Sequence, residues 1–179
     1  MAEAFSNKLA RAVGVVNSSA AGAIGITTNL ITGISTSGVT VGDLVDNQNY
    51  IAGTTVSSIG TGQVVVDRDS TNTSSTTSQS VKFLQPTTIY TSPGGTKTIL
   101  IGGTFANNTN SQVALTIQVL DQSEGVTVAI ASKIPVPAGS SFVISDTGKT
   151  LLEASDAIKV SCDTANAIDA NISILTGVN

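Results

Sequence analysis

Histidine and tryptophan are absent from this chain of 179 residues, cysteine and methionine occur once each, and only 11% of the residues carry charge. Each shortage removes a class of chemistry. Without histidine, a serine or cysteine nucleophile has no imidazole to take its proton, and no G-x-S-x-G elbow is present. The lone Cys162 rules out an internal disulfide, and the Cys/His sets that hold zinc are missing. Lys and Arg number 8 against 12 Asp and Glu, for a net charge of -4, and the cations do not cluster. Few phosphates could be neutralised, so no nucleic-acid partner is expected. No apolar run approaches the ~20 residues of a membrane-spanning helix, so no membrane partner is expected either. Aromatics are 3%, leaving Tyr50 and Tyr90 as the only tyrosines that could offer a sugar a stacking platform.

What remains is a chain rich in Ala, Val, Ile and Leu, with 40% hydrophobic residues and roughly a quarter Ser and Thr. Disordered chains combine low hydrophobicity with high net charge, the opposite of this balance. Abundant Thr, Val and Ile fit sheets whose outer faces carry hydroxyls. Solitary soluble proteins usually keep a more charged surface, so part of this surface is expected to face neighbouring subunits.

Along the chain, the first segment differs from the rest. Phe5, Leu9, Ala12, Val13 and Val16 fall at helical spacing and form a short apolar stripe. Residues 1–22 are therefore expected to be a short helix or an extended attachment arm, docked on a partner or on its own domain. Lys8 and Arg11 before an Ala/Val stretch imitate a signal peptide. Asn17, Ser18 and Ser19 interrupt the apolar run and Glu3 is out of place, so no targeting signal is expected.

Residues 23–86 read as a small β module of short runs such as "GVTVGDLV", "QVVVDRD" and "SVKFL", broken by Gly, Asn, Asp and Ser. The stretch "STNTSSTTSQS" could be a loop, an exposed edge or a Thr-laddered strand. After Pro86 the alternation is cleaner, with roughly seven strands in about 90 residues, the rhythm of an antiparallel β-sandwich. The fold class expected is all-β: a sandwich or jelly-roll-like domain over 87–179, a smaller module over 23–86 and an arm.

Candidate chemistry is sparse. Asp67 and Asp69 in "VDRDS" could hold a hard cation, but no ligand loop follows them, and a solvated strand end around Arg68 is the preferred reading. Glu153 and Asp156 in "LLEASDAIKV" are three apart in an extended or irregular stretch and need not converge as a glycosidase pair must. Asp156 is expected to accept backbone N–H groups at a turn. In "AIKVSC", Ile158, Val160 and Cys162 share a strand face, which makes Cys162 a buried structural thiol. "SPGGTKT" has the wrong spacing for a phosphate loop and reads as a tight turn. A serine meeting Lys133 or Lys159 in space stays open, as does the sequon at Asn72. No catalytic, cofactor or metal residue is assigned.

The run "TTIYTSPGGTKTILIGGTFANNTNSQVALTIQVLD" followed by "KIPVPAGSSFVISDTGKTLLEASDAIKVSCDTANAIDANISIL" resembles small β-sandwich domains of tailed-bacteriophage virion proteins. Shared features are a Tyr-Thr-x-Pro first strand, a "VPAGSS" turn, a "LEAGD-x-I-x-V" element and an "AVD-x-x-IS-x-L" last strand. Ser155 stands where that pattern has Gly. Upstream, "GVTVGDLVDNQNYIAGTTVSSIG" is similar to a module of phage tail and fibre proteins. The two similarities span most of residues 38–175, in a style closest to marine cyanophage particles. The resemblance implies a non-enzymatic, multi-copy virion component, decorating or stabilising the capsid or built into a neck or tail appendage. Its expected partners are other virion proteins and copies of itself, with a trimer foreseen. The alternative is a receptor-binding tail adhesin that holds a host surface glycan through loops such as "FANNTNSQ".

Overall fold

The computed structural model describes residues 3–145 and 149–178, and every regular element in them is a β-strand. The protein is all-β, with antiparallel sheets packed face to face. The C-terminal half builds two of them from β8 (Thr87–Thr91), β9 (Lys97–Asn107), β10 (Val113–Asp121), β11 (Val126–Val136), β12 (Ser141–Ile144), β13 (Thr150–Leu152), β14 (Ala157–Cys162) and β15 (Ile168–Val178). One sheet runs β11-β10-β14-β8. The other runs β15-β9-β12, with β13 also on β9, and gains β1 (Ala4–Val13) on its free side.

Alternation explains why these sheets stack. Leu100 and Phe105 of β9 and Ile168, Ile172 and Ile174 of β15 point inward, toward Leu115 and Ile117 of β10 and Ile158, Val160 and Cys162 of β14. All of these are nearly or fully buried in one core. Side-chain direction repeats every two residues, so each strand gives one face to this core and one to the outside.

The N-terminal half forms a six-stranded sheet from β2 (Val15–Ile24), β3 (Leu30–Thr32), β4 (Leu44–Asp46), β5 (Val56–Gly60), β6 (Gln63–Val66) and β7 (Thr76–Gln85), in the order β4-β7-β2-β3-β6-β5. A second core of Ile24, Ile31, Val64, Val81, Phe83 and neighbours lies against it. The hydroxyl-rich stretch is divided: residues 70–75 are irregular, whereas Thr76 onward is β7, paired along its length with β2.

The helical spacing at the start does not become a helix. Residues 4–13 and 15–24 are extended, and residues 1–2 of the expected arm lie outside the described residues. Gly14, the β-branched valines and Ser and Asn weaken a helix here despite the alanines, and strand pairing overrides what propensity remains. β1 pairs with β15 from Ala4↔Thr176 to Ala10↔Ala170, then bulges at Ala12 (φ 55°) so that Val13 enters the sandwich core. Gly14 then turns the chain into the other sheet. Its φ is 93°, and a Cβ there would meet the Thr164 carbonyl at 3.3 Å, so both backbone and space favour glycine.

The rejected phosphate loop is a turn with a buried hydroxyl cluster. Thr98 Oγ1 lies 3.0 Å from both Tyr90 Oη and Ser92 Oγ, between β8 and β9. These three hydroxyls satisfy one another in place of water.

Candidate functional surface

Asp156 occupies the corner between β13 and β14 and is 4% exposed. Its Oδ2 accepts the Glu153 N–H at 2.8 Å and its Oδ1 accepts the Gln122 N–H at 3.0 Å. The Asp156 N–H donates to the Glu153 carbonyl, and the Ser92 N–H donates to the Asp156 carbonyl at 2.8 Å. One side chain therefore ties the β13–β14 corner to the β10–β11 hairpin, while its backbone ties that corner to the end of β8. Glu153 turns outward and pairs with Lys97 Nζ at 2.9 Å, both side chains being about half exposed. The two carboxylates do not converge on a common space, and the corner is architecture.

The same device occurs in the other half. Asp43 is 2% exposed. It accepts the Thr40 N–H at 2.9 Å and the Thr40 hydroxyl at 2.6 Å, and its own N–H donates to the Thr40 carbonyl. Gly42 before it has φ 92°, and Ser155 before Asp156 has φ 72°. "TVGDLV" and "EASDAI" are thus two copies of one strand-starting corner, and serine takes the left-handed position that glycine fills in the first. Left-handed backbone costs a residue with a Cβ about 1–2 kcal/mol, while glycine costs about 0.5–1 kcal/mol in chain entropy. Ser155→Gly is accordingly expected to stabilise the chain by up to about 1 kcal/mol, read as a higher urea midpoint at unchanged slope.

The remaining candidates are also committed to structure. Asp67 Oδ1 accepts the Thr55 N–H at 2.7 Å, and its Oδ2 lies 3.9 Å from Arg68 Nε, beyond the end of β6. No group of three or more His, Cys, Asp or Glu side chains gathers among the described residues. The Asn72 amide donates to the Ser74 carbonyl at 2.6 Å and is partly buried. Both tyrosines are in cores, Tyr90 on the Thr98 hydroxyl and Tyr50 donating to the Thr28 carbonyl at 3.3 Å.

Burial pushes the Cys162 thiol from 9.0 up to about 12. Burial, with the charge of Asp69 adding to it, pushes the Tyr50 hydroxyl from 10.0 up to about 12. Both groups keep their protons longer in the fold than in the unfolded chain. Stability present below about pH 9 is therefore lost as pH rises toward 12. With no histidine, no side chain titrates at its ordinary pKa between pH 5 and 8. Thermal melting is expected to change little from pH 6 to 8 and to fall steadily above 9, with Cys162 unreactive to thiol reagents until the chain unfolds.

The loop after β9 is held from inside. Asn107 is 2% exposed; its amide donates to the carbonyls of Ser111, Val136 and Pro137 at 2.8–3.1 Å, and its Oδ1 accepts the Thr109 N–H at 2.9 Å. The loop and the Ala138–Ser141 turn border an open cleft of about 580 Å³. Asn108 and Asn110 are its exposed amides, and no aromatic side chain lines it.

The outer face of the β1-β15-β9 sheet is different in kind. Cross-strand register places Phe5 opposite Leu175, Leu175 opposite Ile99, and Ile99 opposite Leu151. Directly opposed residues share a face, so these four form one apolar row across four strands. A second row runs Leu9, Asn171, Thr104, Val143. Phe5 is 64% exposed, Leu9 76%, Val143 55% and Leu151 48%. The first row is apolar along its length, while Asn7 and Ser173 lie beside it and Asn171 and Thr104 interrupt the second; an exposed apolar row across four strands marks a contact surface. In the sequence Phe5 and Leu9 fall in a stripe of helical period, and no periodicity links them to Ile99, Leu151 and Leu175. The signal was available: "TILIG" and "SIL" put apolar residues at adjacent positions, which makes both faces of a strand apolar.

No family model matches the chain, and no curated protein matches it. Among solved structures, the VP2 subviral particle of infectious bursal disease virus aligns over 98% of this chain and 71% of that chain, at 8% identity and a TM-score of 0.35. The viral particle of the same virus aligns over 98% and 69%, at 9% identity and a TM-score of 0.31. Superpositions this loose carry no conclusion about function.

Proposed function

We propose that the chain is a non-enzymatic structural component of a virus particle of the tailed-bacteriophage kind, present in many copies as a symmetric oligomer. The observation that carries the reading is the apolar outer face of the β1-β15-β9 sheet, on a protein whose singled-out acidic and aromatic side chains serve its own corners and cores. The sequence resemblance to phage sandwich domains and the low surface charge support it. The mechanism is mechanical. Residues 1–22 contribute Phe5 and Leu9 to the face, which docks on other virion proteins of the capsid, neck or tail and buries apolar area in doing so. Phe5→Ser and Leu9→Ser are expected to leave the chain folded, with an unchanged circular dichroism spectrum, since both side chains are mostly exposed within one chain. The double variant is expected to lose at least tenfold in co-sedimentation with particles that lack the protein. Undiminished co-sedimentation of the double variant would remove the face from the account.

A second reading, a receptor-binding adhesin, rests on the polar cleft beside Asn108 and Asn110. It calls for glycan binding by the full chain, since β1 belongs to the sandwich sheet, and for its loss in Asn108→Ala/Asn110→Ala. A glycan array without a hit ends it.

A further inference from the structure

The free edge of β1 is self-complementary, and we infer that it pairs with the β1 edge of a second copy of this chain. Among the described residues β1 is hydrogen-bonded to β15 alone, so its other side presents an open ladder of N–H and C=O groups. Natural sheets protect such edges with short strands, proline, charges that block pairing, or bulges. β1 is 10 residues long, has no proline, bulges only near its end, between Ala10 and Val13, and carries one charge on its inner-face parity, Lys8, beside Tyr90.

The sequence of this edge fits its own reverse. Phe5, Asn7 and Leu9 alternate along the strand on the outer face with Leu175, Ser173 and Asn171, Glu3 precedes the strand and Arg11 opens its bulge, and all five are exposed. Leu9 and Arg11 also border one cleft of about 510 Å³ on that face. In an antiparallel pair, opposed residues lie on the same face. Registers that pair odd with even positions would join the outer face of one sheet to the inner face of the other. Three even registers remain close to full overlap. Sliding one way sets Phe5 against Asn7 and Leu9 against Glu3. Sliding the other way sets Phe5 against Arg11 and Leu9 against Asn7. Centring on Asn7 sets Glu3 against Arg11 and Phe5 against Leu9, each twice. Neither Glu3 nor Arg11 has an ion-pair partner within the chain among the described residues. Lys8, on the other parity, falls opposite Ser6 and diagonal to the Lys8 of the second copy; its ammonium lies 6.0 Å from the centre of its own Tyr90 ring, turned away from the axis.

The register has a two-fold axis through Asn7, so the unit is an isologous dimer and not the trimer that the sequence resemblance leads one to expect. Two five-stranded sheets become one continuous sheet, and the apolar rows of the two copies join across it. This contact is independent of whether the dimer belongs to a virus particle.

Charge reversal tests it on the full chain by light scattering and native mass spectrometry. The parent protein is expected at twice the 18.0 kDa of one chain. Glu3→Arg sets two like-charge pairs in each dimer, as does Arg11→Glu, and each is expected to weaken dimerisation roughly tenfold or more. An equimolar mixture of the two variants restores a 1:1 heterodimer, because every arginine then faces a glutamate. The double variant Glu3→Arg/Arg11→Glu regains the homodimer. Circular dichroism confirms that each variant is folded before its mass is compared. A parent protein that is monomeric or trimeric overturns the inference. So do single variants that dimerise like the parent, or a mixture that shows no preference for the heterodimer.

Discussion

Replacing Asp156 by alanine is expected to lower the unfolding free energy by about 3–5 kcal/mol, with no ligand or substrate involved. Its carboxylate is the acceptor for two N–H groups from separate parts of the chain, Glu153 at 2.8 Å and Gln122 at 3.0 Å, at a site 4% exposed. Hydrogen bonds to a charged group contribute about 1.5–3 kcal/mol each, and a buried N–H left without an acceptor adds its own desolvation penalty. Alanine removes both acceptors and leaves the Glu153 and Gln122 N–H groups without a protein partner. In a chain of this size the loss corresponds to a melting point lower by about 6–20 °C. Asparagine keeps one acceptor oxygen and is expected to recover about half of the loss. Glu153→Ala is the control: its ion pair with Lys97 is exposed, and such pairs are worth about 0–1 kcal/mol. Urea titration of the three variants measures the ordering. Equal effects for Asp156→Ala and Glu153→Ala would mean that the corner is not what joins the hairpin, the corner and β8.

Phe105→Ala is expected to cost about 3–5 kcal/mol, and Phe83→Ala a similar amount, but in different parts of the molecule. Both rings are fully buried, Phe105 in the sandwich core and Phe83 in the core of the six-stranded sheet. The chain passes between the two halves at Gly14 and at Pro86, and each core is closed by its own strands. We propose that the halves unfold as separate cooperative units. Calorimetry of the parent then shows two transitions. Phe105→Ala lowers one of them and Phe83→Ala the other. A single transition that both substitutions lower together would make the chain one unit despite its two cores.

The fold was legible where periodicity was clean. "VALTIQVL" alternates so regularly that Val113, Leu115, Ile117 and Val119 fall on one face; the first three are buried and Val119 is half-buried against the same core. The role of Asp156 was also legible, because an aspartate after a small residue before an apolar run is a turn acceptor. The first segment was not. Its apolar residues fit a helix as well as a strand, and only the free edge of β15, formed by residues more than 150 positions away, decides for the strand. Ser155 misled in the other direction. A serine in place of glycine argues against a left-handed turn, yet the bonds of Asp156 on one side and the Ser155 N–H to the Ser92 carbonyl on the other fix the backbone there. The apolar rows were invisible for a further reason. A row across a sheet is written in register, and register joins Phe5, Ile99, Leu151 and Leu175 from four distant parts of the chain.

The central claim is that this protein acts by attachment through the outer face of the β1-β15-β9 sheet. Electron microscopy of intact particles carrying a labelled copy of the chain tests it most directly. The account predicts density for the label at regular, repeated positions, with the β1-β15-β9 face turned toward the particle. Particles without bound label, or label bound with that face turned to solvent, would contradict it.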